Sequence, residues 1–142
     1  MVLPDVNILV YAFRPDTTDH ERYRDWLQDV VDGPAAFGCS DVVLSGFLRI
    51  VTHPRVFASP DSLEAASAFV SAVRDQPHCV PVSPGPRHWD LFLQLGRAVG
   101  AQGNLVPSAY LAALAIESGC EWITTDRDFA RFPGLRWRYP LS

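Results

Sequence analysis

Two stretches of this chain end an apolar run in acidic residues. In "LPDVN" (residues 3–7) Asp5 follows Leu3 and Pro4, with Asn7 two positions on. In "ITTDRDF" (123–129) Asp126 and Asp128 flank Arg127 directly after a β-branched run. Carboxylates are hard oxygen donors. Three of them, with the Asn7 amide near, could hold Mg2+, which takes oxygen ligands and keeps several waters. Such an ion can ionise a water and neutralise charge on a phosphoryl group. A plainer reading makes Asp5 and Asp126 helix N-caps, since each precedes a possible helix, and Asp128 a solvated surface acid. Spacing alone leaves both readings open.

Other chemistries fit less well. No G-x-G-x-x-G or Walker loop is present, so nucleotide-cofactor binding has little support. No G-x-S-x-G elbow marks a hydrolase serine. "DVN" lacks the second aspartate that a haloacid-dehalogenase-type phosphatase places two residues on. Cys39, Cys79 and Cys120 are odd in number, contain no C-x-x-C and sit beside apolar residues, which suggests reduced, buried thiols in a cytoplasmic protein. His20, His53, His78 and His88 show no zinc-ligand spacing with them. The net charge of −4 argues against a protein that coats nucleic acid, though a local field can still serve a nucleic-acid enzyme. All twelve basic residues are arginine. Arginine suits phosphates, but a GC-rich genome is the plainer cause.

The elements that must position the acids alternate. Strands are expected at "MVLP", 35–39, 79–83, 120–125 and 135–139. Helices are expected from "NILVYAF", over 18–32, over 41–53 before Pro54, over 59–75 with Ser59 as N-cap, over 86–100 and over 106–119. At 142 residues this is one domain, 1–142, long enough to bury about 70% of its unfolded surface. No apolar run can span a bilayer. "MVLPDVN" has no basic n-region, so no signal peptide is expected. Strand–helix alternation predicts an α/β fold, a mostly parallel sheet between helical layers. In such sheets ligands sit outside the carboxyl ends of the strands. Asp5 and Asp126 both fall there.

At this point the chain resembles a known family. "LPDVNILVYAFRPDTTDHERYRDWL", "GFLRIVTHPRVF", "GNLVPSAYLAALAIESG" and "ITTDRDFARFPGLRW" are similar, in order and nearly end to end, to PIN-domain toxins of VapBC toxin–antitoxin modules, mycobacterial branch. The resemblance implies a three-layer α/β/α PIN fold and a Mg2+-dependent endoribonuclease, with Mn2+ able to substitute. It implies a homodimer silenced by a VapB antitoxin, structured RNA as substrate (tRNA or ribosomal RNA), and products with a 5′-phosphate and a 3′-hydroxyl. By position Asp5 is the first acid, Asn7 its polar neighbour, Asp126 the late acid and Asp128 an auxiliary one; all three acids are implied metal ligands.

Two departures qualify this. Many relatives carry an acid shortly before "GFLR", where this chain has Leu44 and Ser45; Asp41, one turn earlier, is either a partial substitute or, the favoured reading, a helix N-terminal acid. Relatives also read "NLVPDA" where this chain reads "NLVPSA". Ser108 stands in place of a site aspartate, so metal affinity and water activation should both fall, and weak or absent activity is expected. A bland reading remains: Pro107-Ser108 is an ordinary helix start. Arg49 is expected to orient a site carboxylate, with Arg14, Arg127, Arg131, Arg136 and Arg138 as phosphate candidates. Trp26, Trp89 and Phe92 are expected in the core or a dimer face. The rival readings are a non-catalytic PIN-like module that binds RNA or VapB, and a general metal-dependent phosphatase.

Overall fold

The computed structural model describes residues 1–141. Five short strands form one sheet: β1 (Val2–Pro4), β2 (Phe37–Cys39), β3 (Cys79–Pro81), β4 (Glu121–Ile123) and β5 (Trp137–Arg138). Their order is β3-β2-β1-β4-β5 and every pairing is parallel. The chain therefore starts in the middle of its sheet, builds outward through β2 to β3, then crosses back to place β4 on the other side of β1. That reversal puts the topological switch point of the sheet at the carboxyl ends of β1 and β4, the usual ligand position in open α/β sheets. Leu3 pairs with Trp122 and Pro4 with Ile123 across this junction, and the Asp5 N–H donates to the Ile123 carbonyl at 2.9 Å.

Six helices cover the faces: α1 (Val6–Phe13), α2 (His20–Asp32), α3 (Asp41–Val51), α4 (Leu63–Arg74), α5 (His88–Val99) and α6 (Leu105–Ser118). Parallel strands buried on both faces need nearly continuous apolar residues, and Leu3, Phe37, Trp122 and Ile123 are all essentially inaccessible. On α6 the residues facing inward are mostly small: Ala109, Ala112, Ala113 and Ala115 are buried with Leu114. Short side chains allow close approach of the helix to the core, so α6 sits deep from Ala109 onward, while its first turn is largely exposed. Between α1, α3 and α4, Phe13, Phe47 and Phe69 pack as a ring triad with centroids 4.9–5.4 Å apart.

The expected elements are all present, with differences at their ends. The helix expected over 59–75 begins at Leu63, and Ser62 rather than Ser59 is its cap, accepting the Ala65 N–H at 3.1 Å. Ser59 is instead held through its carbonyl, which accepts from Arg14 Nη1 at 2.8 Å. The strand expected over 120–125 stops at Ile123 because Thr124 turns into the site. Cys39 and Cys120 are buried as expected, but Cys79, on the outermost strand β3, is only half-buried. Burial pushes the Cys39 thiol up to about 12, which keeps it protonated and unreactive. Trp89 is 61% exposed on α5 and so is not a core residue of the single chain. No helix among the described residues is long and apolar enough to cross a membrane.

Candidate active site

The site is built from the two chain segments that leave β1 and β4. Asp5 is the N-cap of α1: its Oδ1 accepts the Val6 N–H at 2.7 Å. Capping an orphan helix N–H and meeting the positive end of the helix dipole both favour the ionised form. Its other oxygen, Oδ2, accepts the Thr124 hydroxyl at 2.7 Å. The same hydroxyl oxygen accepts the Asp126 N–H at 3.0 Å. One buried hydroxyl thus ties the end of β1 to the end of β4. Asp126 then caps the short 3-10 helix Arg127–Arg131, its Oδ1 accepting the Asp128 N–H at 2.9 Å.

Capping and convergence therefore coexist. The acids terminate helices, and doing so aims Asp5 and Asp126 toward one edge. Asp5 is only 6% exposed. Burial raises its carboxyl above the ordinary carboxylate range; the Thr124 and Val6 hydrogen bonds oppose this, and the nearby Asp126 charge adds to it. A buried carboxylate with a second one beside it gains from a cation. Among the described residues no side-chain cation forms an ion pair with Asp5, Asp126 or Asp128.

The remaining residues divide. Asn7 lies half-buried in the first turn of α1, beside Asp5 in sequence. Asp128 is exposed, and its backbone rather than its carboxylate reaches Asp126. Ser108, half-buried in the first turns of α6, donates its hydroxyl back to the Asn104 carbonyl at 3.3 Å. It does not hydrogen-bond to either acid. Leu44 is in the core and Ser45 is exposed, so neither replaces the third-helix acid; Asp41 pairs outward with Arg74 at 3.2 Å. Arg49 corrects an expectation. It sits exposed on the last turn of α3 and forms no ion pair among the described residues, because that face of the helix points away from the buried one carrying Phe47 and Val51.

Arg14 is a second correction. Far from being a free phosphate ligand, it is buried and makes four hydrogen bonds, to Asp16, Asp61 and the Ser59 carbonyl, with its guanidinium 3.9 Å from the centre of the Phe57 ring. Arg131 and Arg136 bond backbone carbonyls and Arg138 pairs with Glu121. Arg127, exposed between the two late acids, keeps its guanidinium unengaged among the described residues. Thr124 is the residue that sequence reasoning missed. Its signal was a hydroxyl two positions before a capping aspartate, at a strand end.

Among the described residues no three His, Cys, Asp or Glu side chains lie together closely enough to hold a metal. The pair Asp5 and Asp126 has the donor chemistry for a hard divalent cation whose shell is completed mainly by water, and such a cation would offset the cost of ionising Asp5, which comes first from burial and then from the Asp126 charge.

With this geometry in view, the model of the PIN domain family matches residues 2–135. The chain belongs to the PIN-domain family. Within it the chain stands with the VapC ribonucleases. It is 45% identical over 142 residues to Ribonuclease VapC43 of Mycobacterium tuberculosis, covering 100% of this chain and 97% of that protein. It is 42% identical over 136 residues to Ribonuclease VapC25 of the same organism, covering 96% of each. The PIN fold is shared with VapBC2 from Rickettsia felis bound to a DNA fragment from its promoter, with a TM-score of 0.69 at 17% identity, covering 97% of this chain and 98% of that one. It is shared also with Mycobacterium tuberculosis VapC20, a sarcin–ricin loop cleaving toxin, with a TM-score of 0.63 at 16% identity, covering 96% and 99%.

Proposed function

We propose that this chain is the toxin of a VapBC-type module, a Mg2+-dependent endoribonuclease that acts on structured RNA, tRNA or ribosomal RNA, and is attenuated by Ser108. The observation that carries this is the Asp5–Thr124–Asp126 linkage at the point where the sheet reverses its strand order. Asp5 and Asp126 would hold Mg2+ or Mn2+, with Asp128 contributing from the rim and Asn7 as a polar neighbour. When bound, such an ion neutralises phosphoryl charge and lowers the pKa of water. Thr124 fixes the Asp5 carboxylate so that its orientation survives substrate binding. Arg127 is free to meet a phosphate beside the acids. Water attacks the phosphorus in line, the bond to the 3′ oxygen breaks, and the 5′-phosphate is left on the downstream fragment.

Ser108 limits this chemistry. Its neutral hydroxyl is turned into its own helix, so the site carries one negative charge fewer than an aspartate there would give. The same feature favours a second reading, a PIN module that binds RNA or antitoxin without cutting. We also propose a VapB-type antitoxin as partner, supported by the likeness to VapBC complexes, and a homodimer in the cytoplasm, to which the exposed Trp89 is suited as an interface residue.

The test is cleavage of total RNA with Mg2+ or Mn2+ by this chain, Ser108→Asp and Ser108→Asp/Asp5→Ala. Cutting by Ser108→Asp that is lost with Asp5→Ala supports the attenuated nuclease. Full activity of the native chain would remove Ser108 as the limit. Metal-independent RNA binding with no cutting by any variant would favour the binding module.

A further inference from the structure

We propose that a cleft beside the acids is a nucleobase pocket that selects guanine next to the cut phosphodiester; this rests on the ribonuclease reading. The cleft has a volume of about 450 Å³ and is walled by Tyr11, Asp16, Asp19, Tyr23, Thr125 and Tyr139. That is within the range of small-ligand pockets, about 300–1,000 Å³. Thr125 lies between the site residues Thr124 and Asp126, so the pocket opens on the same sheet edge. A nucleotide flanking a phosphate held at Asp5 and Asp126 must place its base within one backbone step of them.

The walls suit a base and not a phosphate. Tyr23 is buried and backs the pocket, its ring centroid 5.0 Å from that of Tyr11 and its hydroxyl hydrogen-bonded to that of Tyr139 at 3.0 Å, so the half-buried Tyr11 and the exposed Tyr139 present the aromatic surface. Aromatic faces are what single-stranded RNA bases stack upon. Asp16 has its charge matched by two hydrogen bonds from Arg14, at 3.0 and 2.6 Å. Asp19 is different. It stands at the N-cap position of α2 but makes no side-chain cap hydrogen bond, and its carboxylate has no ion pair or hydrogen bond among the described residues. One unengaged carboxylate repels phosphate and accepts from two adjacent N–H donors. Guanine alone among the four RNA bases presents two such donors side by side, at N1 and N2; the others set an acceptor beside each donor. The wall is also preformed: the Thr17 hydroxyl donates to the Arg14 carbonyl at 2.7 Å and the His20 ring bonds the Tyr11 carbonyl at 2.8 Å.

The experiment measures binding of fluorescein-labelled RNA heptamers to the full chain in EDTA, each with guanine, inosine or adenine at one scanned position. Inosine lacks only the N2 amine. At one position guanine should bind about tenfold tighter than inosine. Asp19→Asn should bring that ratio to about one; Asn tolerates the left-handed backbone of Asp19, φ +59°, so the turn is kept. Cut sites of Ser108→Asp, mapped by fragment sequencing, should be enriched in guanine at one flanking position. Ratios near one in the native chain, or a preference that survives Asp19→Asn, would overturn the proposal. So would an arginine-containing peptide whose binding is lost in Asp19→Asn while RNA selectivity is not, since the pocket would then take a protein partner's cation. If RNA is bound and cut without guanine preference, the pocket alone fails; if no RNA is bound or cut by any variant, the ribonuclease reading fails with it.

Discussion

Helix α1 carries a buried charge at each end, and the two ends are built on opposite plans. At its C-terminus Arg14 is 6% exposed and closed in by Asp16, Asp61, the Ser59 carbonyl and the Phe57 ring. At its N-terminus Asp5 is also 6% exposed, but its partners are a neutral hydroxyl and one backbone N–H, and its nearest named charge is another acid. Each charge is of the sign that its end of the helix dipole prefers. The difference lies in the neighbours. The Arg14 cluster satisfies itself and fastens the α1–α2 turn to the segment before α4. The Asp5 cluster gives its carboxylate hydrogen bonds but no cationic side chain, which is the feature the proposed function uses.

The comparison can be broken from either end. The largest effect is expected from Asp126→Ala in the Ser108→Asp background, which should lower RNA cleavage by more than about 100-fold, beyond the loss typical of groups that only orient metal ligands. Single-turnover rates with Mg2+ check this. Next comes Thr124→Val in the same background, with a loss of about 10- to 100-fold. Because Thr124 positions rather than touches substrate, raising Mn2+ should recover part of the rate, and a loss indifferent to metal concentration would mean that the hydroxyl has another role.

At the other end, Arg14→Ala should cost about 3 kcal/mol of stability in urea titrations, since it strands Asp61 and removes the Phe57 contact, with Asp16 half-exposed moderating the loss. Metal-dependent cleavage should persist, with any change in rate per folded molecule traceable to Asp16, which loses its partner in the wall of the proposed base pocket. The smallest effect separates the two clusters by sign. Arg14 holds the Asp16 carboxyl below its ordinary range. Its contribution is therefore present above the unfolded value, near 3.8, and is lost as pH falls through the lower folded value. Asp5 is shifted upward, so its ionisation costs stability as pH rises past 3.8 toward the folded value. In metal-free protein Asp16→Asn should lower, and Asp5→Asn raise, the melting temperature at neutral pH, and both differences should shrink in acid. Equal signs would mean that the two ends of α1 are not built differently.

Much of this was legible beforehand. Apolar runs ending in acids located β1, β4 and their carboxyl ends, because strand alternation and helix capping are local. What failed was non-local. Nothing in "FRPD" says that Arg14 meets Asp61, which is 47 residues away, and an arginine on a helix end reads as solvated until its partner is known. Arg49 failed for the converse reason: an apolar helix says which face is buried, but one residue at its last turn can fall on either side. The Ser59 cap was displaced by three residues because two serines near a helix start compete, and tertiary use of the Ser59 carbonyl by Arg14 decided between them. Thr124 was passed over because a threonine in a β-branched run looks like strand filler.

The alanine face of α6 has a consequence for how this protein could change. Ala109, Ala112, Ala113 and Ala115 lie flush with the interior, so any larger residue there would lift the helix and carry position 108 with it. Position 108 itself is half-buried, and its hydroxyl bonds the Asn104 carbonyl. Under the proposed function, an exchange at position 108 would change the charge of the site on an unmoved rail and leave the fold intact.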